Sequence, residues 1–170
     1  ADGAHDGSRV AVAAALGGPR RLCTTGAARV VAAGGVVTSA EPLVSVVLPV
    51  HDCVAYLGAA IDSILRQTYQ RLELIVIDDG SGDGSGALAE SYADPRVRVV
   101  RNDRSLGIVA PLNRGFDLAR GEFIARMDAD DVAAPRRLEL QVRRMTEDPA
   151  LAVLGTDITY GDAAGAVVGR

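Results

Sequence analysis

LELIVIDDGSGDGSG, running from Leu72 to Gly86, decides the fold. The apolar run Leu72 to Ile77 reads as a strand and stops abruptly at Asp78-Asp79. The glycines that follow let the chain turn sharply, and Ser85 to Tyr92 then reads as a short helix. Working outward, the same alternation repeats. Val44 to Pro49 reads as a buried strand, and Val54 to Gln67 puts Leu57, Ile61, Ile64 and Leu65 on one helical face. Val97 to Val100 is a third strand and Ile108 to Ala119 a helix preceded by Gly107. Glu122 to Met127 is a strand, Pro135 to Glu147 a helix with proline in its first turn, and Ala152 to Tyr160 a last strand. Strands alternating with helices of this length imply right-handed βαβ units, hence an α/β fold: a Rossmann-like, mostly parallel sheet with helices on both faces. Ligands of such sheets bind beyond the carboxyl ends of the strands, where Pro49 to Asp52, Asp78-Asp79 and Asp128 to Asp131 fall.

Composition limits what this domain can do. The chain has 170 residues, 48% of them hydrophobic, enough for one α/β domain with a real core. All 18 basic residues are arginine, they are scattered, and the formal net charge is -4, so no basic stripe marks nucleic acid as a partner. Cys23 and Cys53 form neither a disulfide framework nor a metal-binding spacing. No segment reaches the roughly 18 consecutive apolar residues of a transmembrane segment. Residues 1–42 differ from the rest, being rich in Ala and Gly with little periodicity. They are expected to be a loosely ordered extension, with a short helix or an added strand as alternatives. A secretory signal over Arg29 to Ala40 would be short and broken by Gly34-Gly35.

The run RMDADD, Arg126 to Asp131, places three carboxylates within four positions at the end of an apolar strand. Aspartates this close repel one another unless a cation or hydrogen-bond donors neutralise them, which points to a divalent metal. The alternative is a polar loop that caps the helix beginning near Pro135. A second acidic constellation is Asp78-Asp79 with the glycine run behind it. Asp79 is expected to bind a ligand and Asp78 to satisfy loop amides, with Asp83 or Ser85 as a helix cap. Gly82-x-Gly84-x-x-Ala87 matches a dinucleotide fingerprint, with Asp103 where a ribose-binding acid would lie, which keeps an NAD-dependent oxidoreductase open. Asp78, Asp79 and Asp83 count against it, because they would surround a pyrophosphate with negative charge that a helix N-terminus, about half an elementary charge, does not offset. His51 is either a structural hydrogen-bonding residue or a base-contacting ring. Arg104, Arg114 and Arg126 could reach a diphosphate, with solvated or salt-bridged faces as the alternative. Asn113 could hydrogen-bond a ligand or simply pack.

VSVVLPVHDCVAYLGAAIDSILRQTY, LIVIDDGSGDGS, RNDRSLGIVAPLNRGFDLARGEFIARMDADD and PRRLELQV together resemble the nucleotide-binding half of family 2 glycosyltransferases, which have the GT-A fold. The resemblance covers about Leu43 to Gly161. It implies an inverting transferase that binds a nucleotide-diphospho-sugar, most often a UDP-sugar. Carried over by position, it implies a uridine pocket at Pro49, Val50 and His51, with His51 departing from the family's usual Tyr, and contact of Asp79 with the base. It makes Asp128-Ala129-Asp130 the DxD motif, with Asp128 at the ribose or the metal's water shell, Asp130 as ligand to Mn2+ or Mg2+ bridging the diphosphate, and Asp131 as support.

The family's acceptor site and acidic catalytic base lie well downstream of the DxD, and Asp157 and Asp162 come too early for that role. The expectation is therefore a partial GT-A domain over residues 43–170, with the base beyond Arg170. The acceptor is open among a glycan, a lipid-linked sugar and a protein, and a non-catalytic nucleotide-sugar-binding module is an alternative. A cytoplasmic location, or one peripheral to the inner face of the membrane, completes the expectation, with bacterial envelope polysaccharide or protein glycosylation as its context.

Overall fold

The structure, a computed structural model, describes residues 13–15, 41–161 and 167–169. Its strands are β1 (Ala13–Ala15), β2 (Val44–Val50), β3 (Leu72–Asp78), β4 (Val97–Arg101), β5 (Phe123–Arg126), β6 (Val153–Leu154), β7 (Tyr160–Gly161) and β8 (Val167–Gly169). Its helices are α1 (Val54–Leu65), α2 (Ser85–Glu90), α3 (Val109–Leu118) and α4 (Arg137–Glu147). The main sheet runs β4-β3-β2-β5-β1-β6. Pairings β4 to β3, β3 to β2 and β2 to β5 are parallel, as expected, whereas β1 pairs antiparallel with both β5 and β6. β7 and β8 form a separate antiparallel pair.

Alternate residues of the strands divide between two faces. Val44, Val46, Leu48 and Val50 of β2 join Leu72, Leu74 and Val76 of β3 and Phe123 and Ala125 of β5 in one cluster. Leu57, Ala60, Ile61 and Ile64 of α1 and Leu138, Val142 and Met145 of α4 cover it. α3 lies on the other face, where Gly115 backs onto Val47 so closely that a Cβ would sit 2.3 Å from its Cγ1. Both faces being covered explains why β2 and β3 are buried along their whole length and read as continuous apolar runs.

The amino ends of the strands carry one buried ion. Glu73, 4% exposed, receives Ser45 Oγ at 2.6 Å, Arg120 N at 2.8 Å and Arg120 Nη2 at 2.7 Å. Burial alone would raise its pKa, but these bonds outweigh burial and hold it low.

Several expectations change. Ala152 to Tyr160 is not one strand: Val153–Leu154 pairs with β1 and Tyr160–Gly161 with β8, because the Gly155-Thr156-Asp157 stretch separates two short pieces with different partners. Pro135 precedes α4 instead of opening it, since its carbonyl accepts Thr68 N at 2.8 Å before the helix starts at Arg137. Of residues 1–42, only Ala13–Ala15 and residues 41–42 are described. The three alanines form an added strand, one of the alternatives weighed for this extension. The possible signal at Arg29 to Ala40, Cys23 and Asp162 lie outside the described residues. Among the described residues no helix is long and apolar enough to cross a membrane.

Candidate functional site

The strand order reverses between β2 and β5, and a proline marks the place. β2 pairs with β5 only from Val44↔Phe123 to Val47↔Arg126, whereas it stays with β3 as far as Val50↔Asp78. Val47 O accepts Met127 N at 3.1 Å, so Val47 faces β5. Residues two apart face the same neighbour, and the missing N–H of Pro49 therefore falls where β5 has already left the ladder. A crevice opens there, at the topological switch point where open α/β sheets bind ligands. Pro49 to Cys53, Asp78 to Ser85 and Met127 to Asp131 surround it.

The loops after β2 and β3 are laced together. Asp52, at φ 48°, donates its N–H to Ser81 Oγ at 3.1 Å, and its Oδ1 accepts Gly82 N at 2.8 Å. Cys53 N donates to Ser85 Oγ at 3.0 Å. Asp83 fills the helix-cap role considered for it at two helices: its Oδ1 accepts the N–H of Ser85, the first residue of α2, and its Oδ2 accepts Val54 N, the first of α1, at 2.8 Å. Ser85 Oγ at 2.6 Å and Ser85 N at 2.9 Å complete Asp83 through Oδ1. Hydrogen bonds from Ser85 and Val54 N hold the Asp83 carboxyl below its usual range.

Asp78 is fully buried. Its Oδ1 accepts Ser81 N at 3.0 Å, and Arg101 Nε pairs with Oδ2 at 3.0 Å without the alignment of a hydrogen bond. Gly86 makes this approach possible, since a Cβ there would lie 2.2 Å from Asp78 Oδ2. Asp79, 3% exposed, accepts four donors: Asn102 Nδ2 at 2.7 Å, Ser105 Oγ at 2.9 Å, Leu106 N at 2.8 Å and Gly107 N at 3.1 Å. Burial pushes its pKa up, but the four bonds outweigh it and the carboxyl sits low. Asp79 thus fixes the 102–107 loop at the crevice wall. Gly80 meets the same loop, at φ 69° with a notional Cβ 2.6 Å from Arg104 C.

These contacts explain why the glycine run does not behave as a dinucleotide cradle. Ser81 N, Gly82 N and Ser85 N are each taken by an aspartate of the protein, on Asp78, Asp52 and Asp83. A pyrophosphate would have to displace carboxylates to reach them. Asp103 is exposed beyond β4.

The DADD turn is built differently. Asp128, with a side chain 13% exposed, receives Arg126 Nη2 on Oδ1 at 2.6 Å. Ala129 is buried, while Asp130 and Asp131 are exposed. Asp130 and Asp83 lie close enough to Cys53 for their charge to act on it: burial first, then these two carboxylates, raise the thiol pKa. Behind the turn Arg137, 8% exposed, donates Nη2 to Arg126 O at 2.9 Å and Nη1 to Met127 Sδ at 3.4 Å. Burial lowers its pKa and the charge of Asp131 works against that. Ser63 and Gln67 of the α1 region tie down the segment that follows, through Ala133 N to Ser63 Oγ at 3.0 Å, Gln67 Nε2 to Ala134 O at 2.8 Å and Leu138 N to Gln67 Oε1 at 3.0 Å.

Among the described residues no three His, Cys, Asp or Glu side chains gather into a metal cage. Mg2+ or Mn2+ held by one or two carboxylates, with phosphate oxygens and water completing an octahedron, needs no such cage. Asp128 and Asp130 carry hard carboxylate oxygens of the kind such an ion takes. His51 donates Nδ1–H to Asp79 O at 2.9 Å, which orients the ring at the crevice, with Nε2 3.7 Å from Asp52 Oδ2. Arg114 donates to Arg101 O at 2.9 Å and to Asn102 Oδ1, and so supports the Asp79 loop from outside. Arg104 and Asn113 are exposed. Asn102, Ser105, Arg137 and Gln67 were not singled out from sequence. Asn102 and Ser105 meet Asp79 23 and 26 residues away, Gln67 meets the segment before α4 67 and 71 residues away, and Arg137 reaches back 10 and 11 residues, so no local spacing announces them.

The family model described as Glycosyl transferase family 2 matches residues 45–166. "Glycosyltransferase GlyG" of Streptococcus pneumoniae serotype 4 (strain ATCC BAA-334 / TIGR4) is 35% identical over 125 residues, covering 72% of this chain and 42% of that protein. The chain thus spans less than half the length of this curated relative. Among solved structures, Staphylococcus aureus TarS 1-349 in complex with UDP superposes with a TM-score of 0.58 at 25% identity, over 61% of this chain and 32% of the other. The mannosyltransferase PcManGT of Pyrobaculum calidifontis, in complex with GDP-Man and Mn2+, has a TM-score of 0.59 at 26% identity, over 66% and 34%.

Proposed function

The chain belongs to glycosyl transferase family 2, and on that footing we propose that it is the donor-binding part of a metal-dependent, inverting glycosyltransferase that takes a nucleotide-diphospho-sugar, with UDP-sugar as the preferred class. One observation carries this reading: the sheet parts at Pro49 between β2 and β5, and the DADD turn stands at the rim of that opening. The relatives of known structure bind UDP in one case and GDP-Man in the other, so the fold leaves the base undecided. Pro49, Val50 and His51 line the base side, and Asp79 acts there by fixing the 102–107 loop as well as by any direct contact. Asp128 and Asp130 would hold Mn2+ or Mg2+. The metal, when bound, would neutralise charge developing on the departing nucleoside diphosphate. The protein's own contribution is positional. The laced turns after β2 and β3 hold the β2–α1 loop in place as the diphosphate enters.

Calorimetric titration tests the proposal. UDP-sugar is expected to bind only with Mn2+ present, and Asp130→Ala is expected to lose that binding. Binding of NAD without metal, or metal-independent binding of UDP-sugar by both proteins, would sink it. Turnover with acceptors from the glycan, lipid-linked and protein classes would then separate a transferase from a binding module.

A further inference from the structure

The proposed function leaves one contact unexplained, the ion pair inside the DxD motif. Arg126 is the last residue of β5, and its Nη2 lies 2.6 Å from Oδ1 of Asp128, two residues on. The geometry is tightly constrained. The Arg126 carbonyl is clamped from behind by the buried guanidinium of Arg137 at 2.9 Å. Arg126 Nε is buried with no hydrogen-bond partner, so the side chain commits its polar contact to one terminal nitrogen instead of a two-pronged grip. The Asp128 side chain is 13% exposed, so water screens the pair only in part.

We propose that Arg126 is a positioning residue that keeps Asp128 from taking up the divalent cation until a nucleotide diphosphate arrives, making cation and donor binding interdependent. This rests on the function proposed above. A bare cation approaching Asp128 must settle beside a fixed positive charge and share a carboxylate whose Oδ1 already accepts a charge-assisted hydrogen bond, and both effects weaken it. A diphosphate reverses the balance, since its negative charge attracts the guanidinium and the cation together. The pair therefore couples two ligands through one carboxylate, the reciprocal linkage expected when each ligand changes the other's affinity.

The test is a Mn2+ titration, with free Mn2+ read by electron paramagnetic resonance, in the absence and presence of UDP. Arg126→Gln removes the charge and is expected to bind Mn2+ alone about tenfold more tightly than the parent chain, and to lose most of the enhancement by UDP. General damage to the turn would not raise metal affinity. Arg126→Lys, which can supply the single donor that the pair uses, is expected to restore weak donor-free binding. Asp128→Asn changes no shape and provides an independent arm if the glutamine variant does not fold. Its donor-free Mn2+ affinity is expected to match the parent's, because Asp128 is already occupied, while its UDP enhancement falls. The inference is overturned if Arg126→Gln binds Mn2+ no more tightly than the parent, or if Asp128→Asn loses donor-free Mn2+ affinity. Asp130→Ala separates the two levels: UDP-linked Mn2+ binding that survives it defeats the proposed function, whereas its loss alongside an unchanged Arg126→Gln defeats only the role of Arg126.

Discussion

Asp78 to Ser85 and Arg126 to Asp131 are both acidic turns at the carboxyl ends of the two parallel strands that flank β2, and their carboxylates sit in different surroundings. In the first, Asp78, Asp79 and Asp83 point at the protein's own donors: Asp79 alone collects four, and Asp83 caps a helix that follows a different strand. In the second, Asp128 has one arginine, and Asp130 and Asp131 stand exposed at the rim. Local acidity does not identify a ligand site. What separates the two turns is burial: Asp79 is closed in by the 102–107 loop that it fixes, whereas Asp130 and Asp131 are exposed to solvent, where a cation can reach them.

The comparison can be broken by exchanging effects between the two turns. The largest expected effect is in binding: Asp130→Ala should weaken Mn2+-dependent UDP-sugar binding by about 100-fold or more by calorimetry, since loss of even a supporting group around a metal costs roughly 10–100-fold. The same variant should shift stability by less than about 0.5 kcal/mol in urea denaturation, as for an ordinary surface change. Asp79→Ala should do the reverse and lose about 2–3 kcal/mol of stability, because Asn102, Ser105, Leu106 N and Gly107 N are left without their common acceptor. If Asp79→Ala is as stable as the parent, the first turn is not the structural one.

Gly80→Ala is expected to cost about 2 kcal/mol in the same measurement, from a left-handed backbone and a Cβ placed 2.6 Å from Arg104 C, and to loosen the 102–107 loop. Its crowding partners are backbone atoms, so the loop must move.

Acid sharpens the contrast further. The carboxyls of Asp79 and Asp83 are held low in the folded state, so their contribution is present above the ordinary aspartate range, near pH 4, and is lost as pH falls through their folded values. Urea midpoints should therefore drop between pH 5 and pH 2, and Asp79→Asn should show a smaller drop. The smallest effect is expected at Asp94, just ahead of β4, whose pKa Arg96 holds at about 2. Asp94→Asn should cost under about 1 kcal/mol at pH 7, as ion pairs still partly open to water do, with no change in donor binding.

Much of this was legible in the chain. The abrupt end of the apolar run at Asp78 located β3, the repeated alternation implied the parallel sheet, and RMDADD stood out because repulsion between neighbouring aspartates needs an answer. The single strand expected over Ala152 to Tyr160 was not borne out, because pairing partners, not local alternation, divide it. The antiparallel β1 pairing was likewise beyond a stretch of plain alanines.

The sequence by itself determined the periodicities, the order of strands and helices, and which acids fall at strand ends, since these follow from side-chain spacing along one element. Only the tertiary structure decided which of those acids are already answered: that Asp83 caps the α1 helix, that Asp79 grips the 102–107 loop, that Pro49 faces the gap left by β5, and that Arg137 braces the DxD from behind. Each depends on groups distant in sequence meeting within hydrogen-bond reach, and no local pattern encodes that meeting.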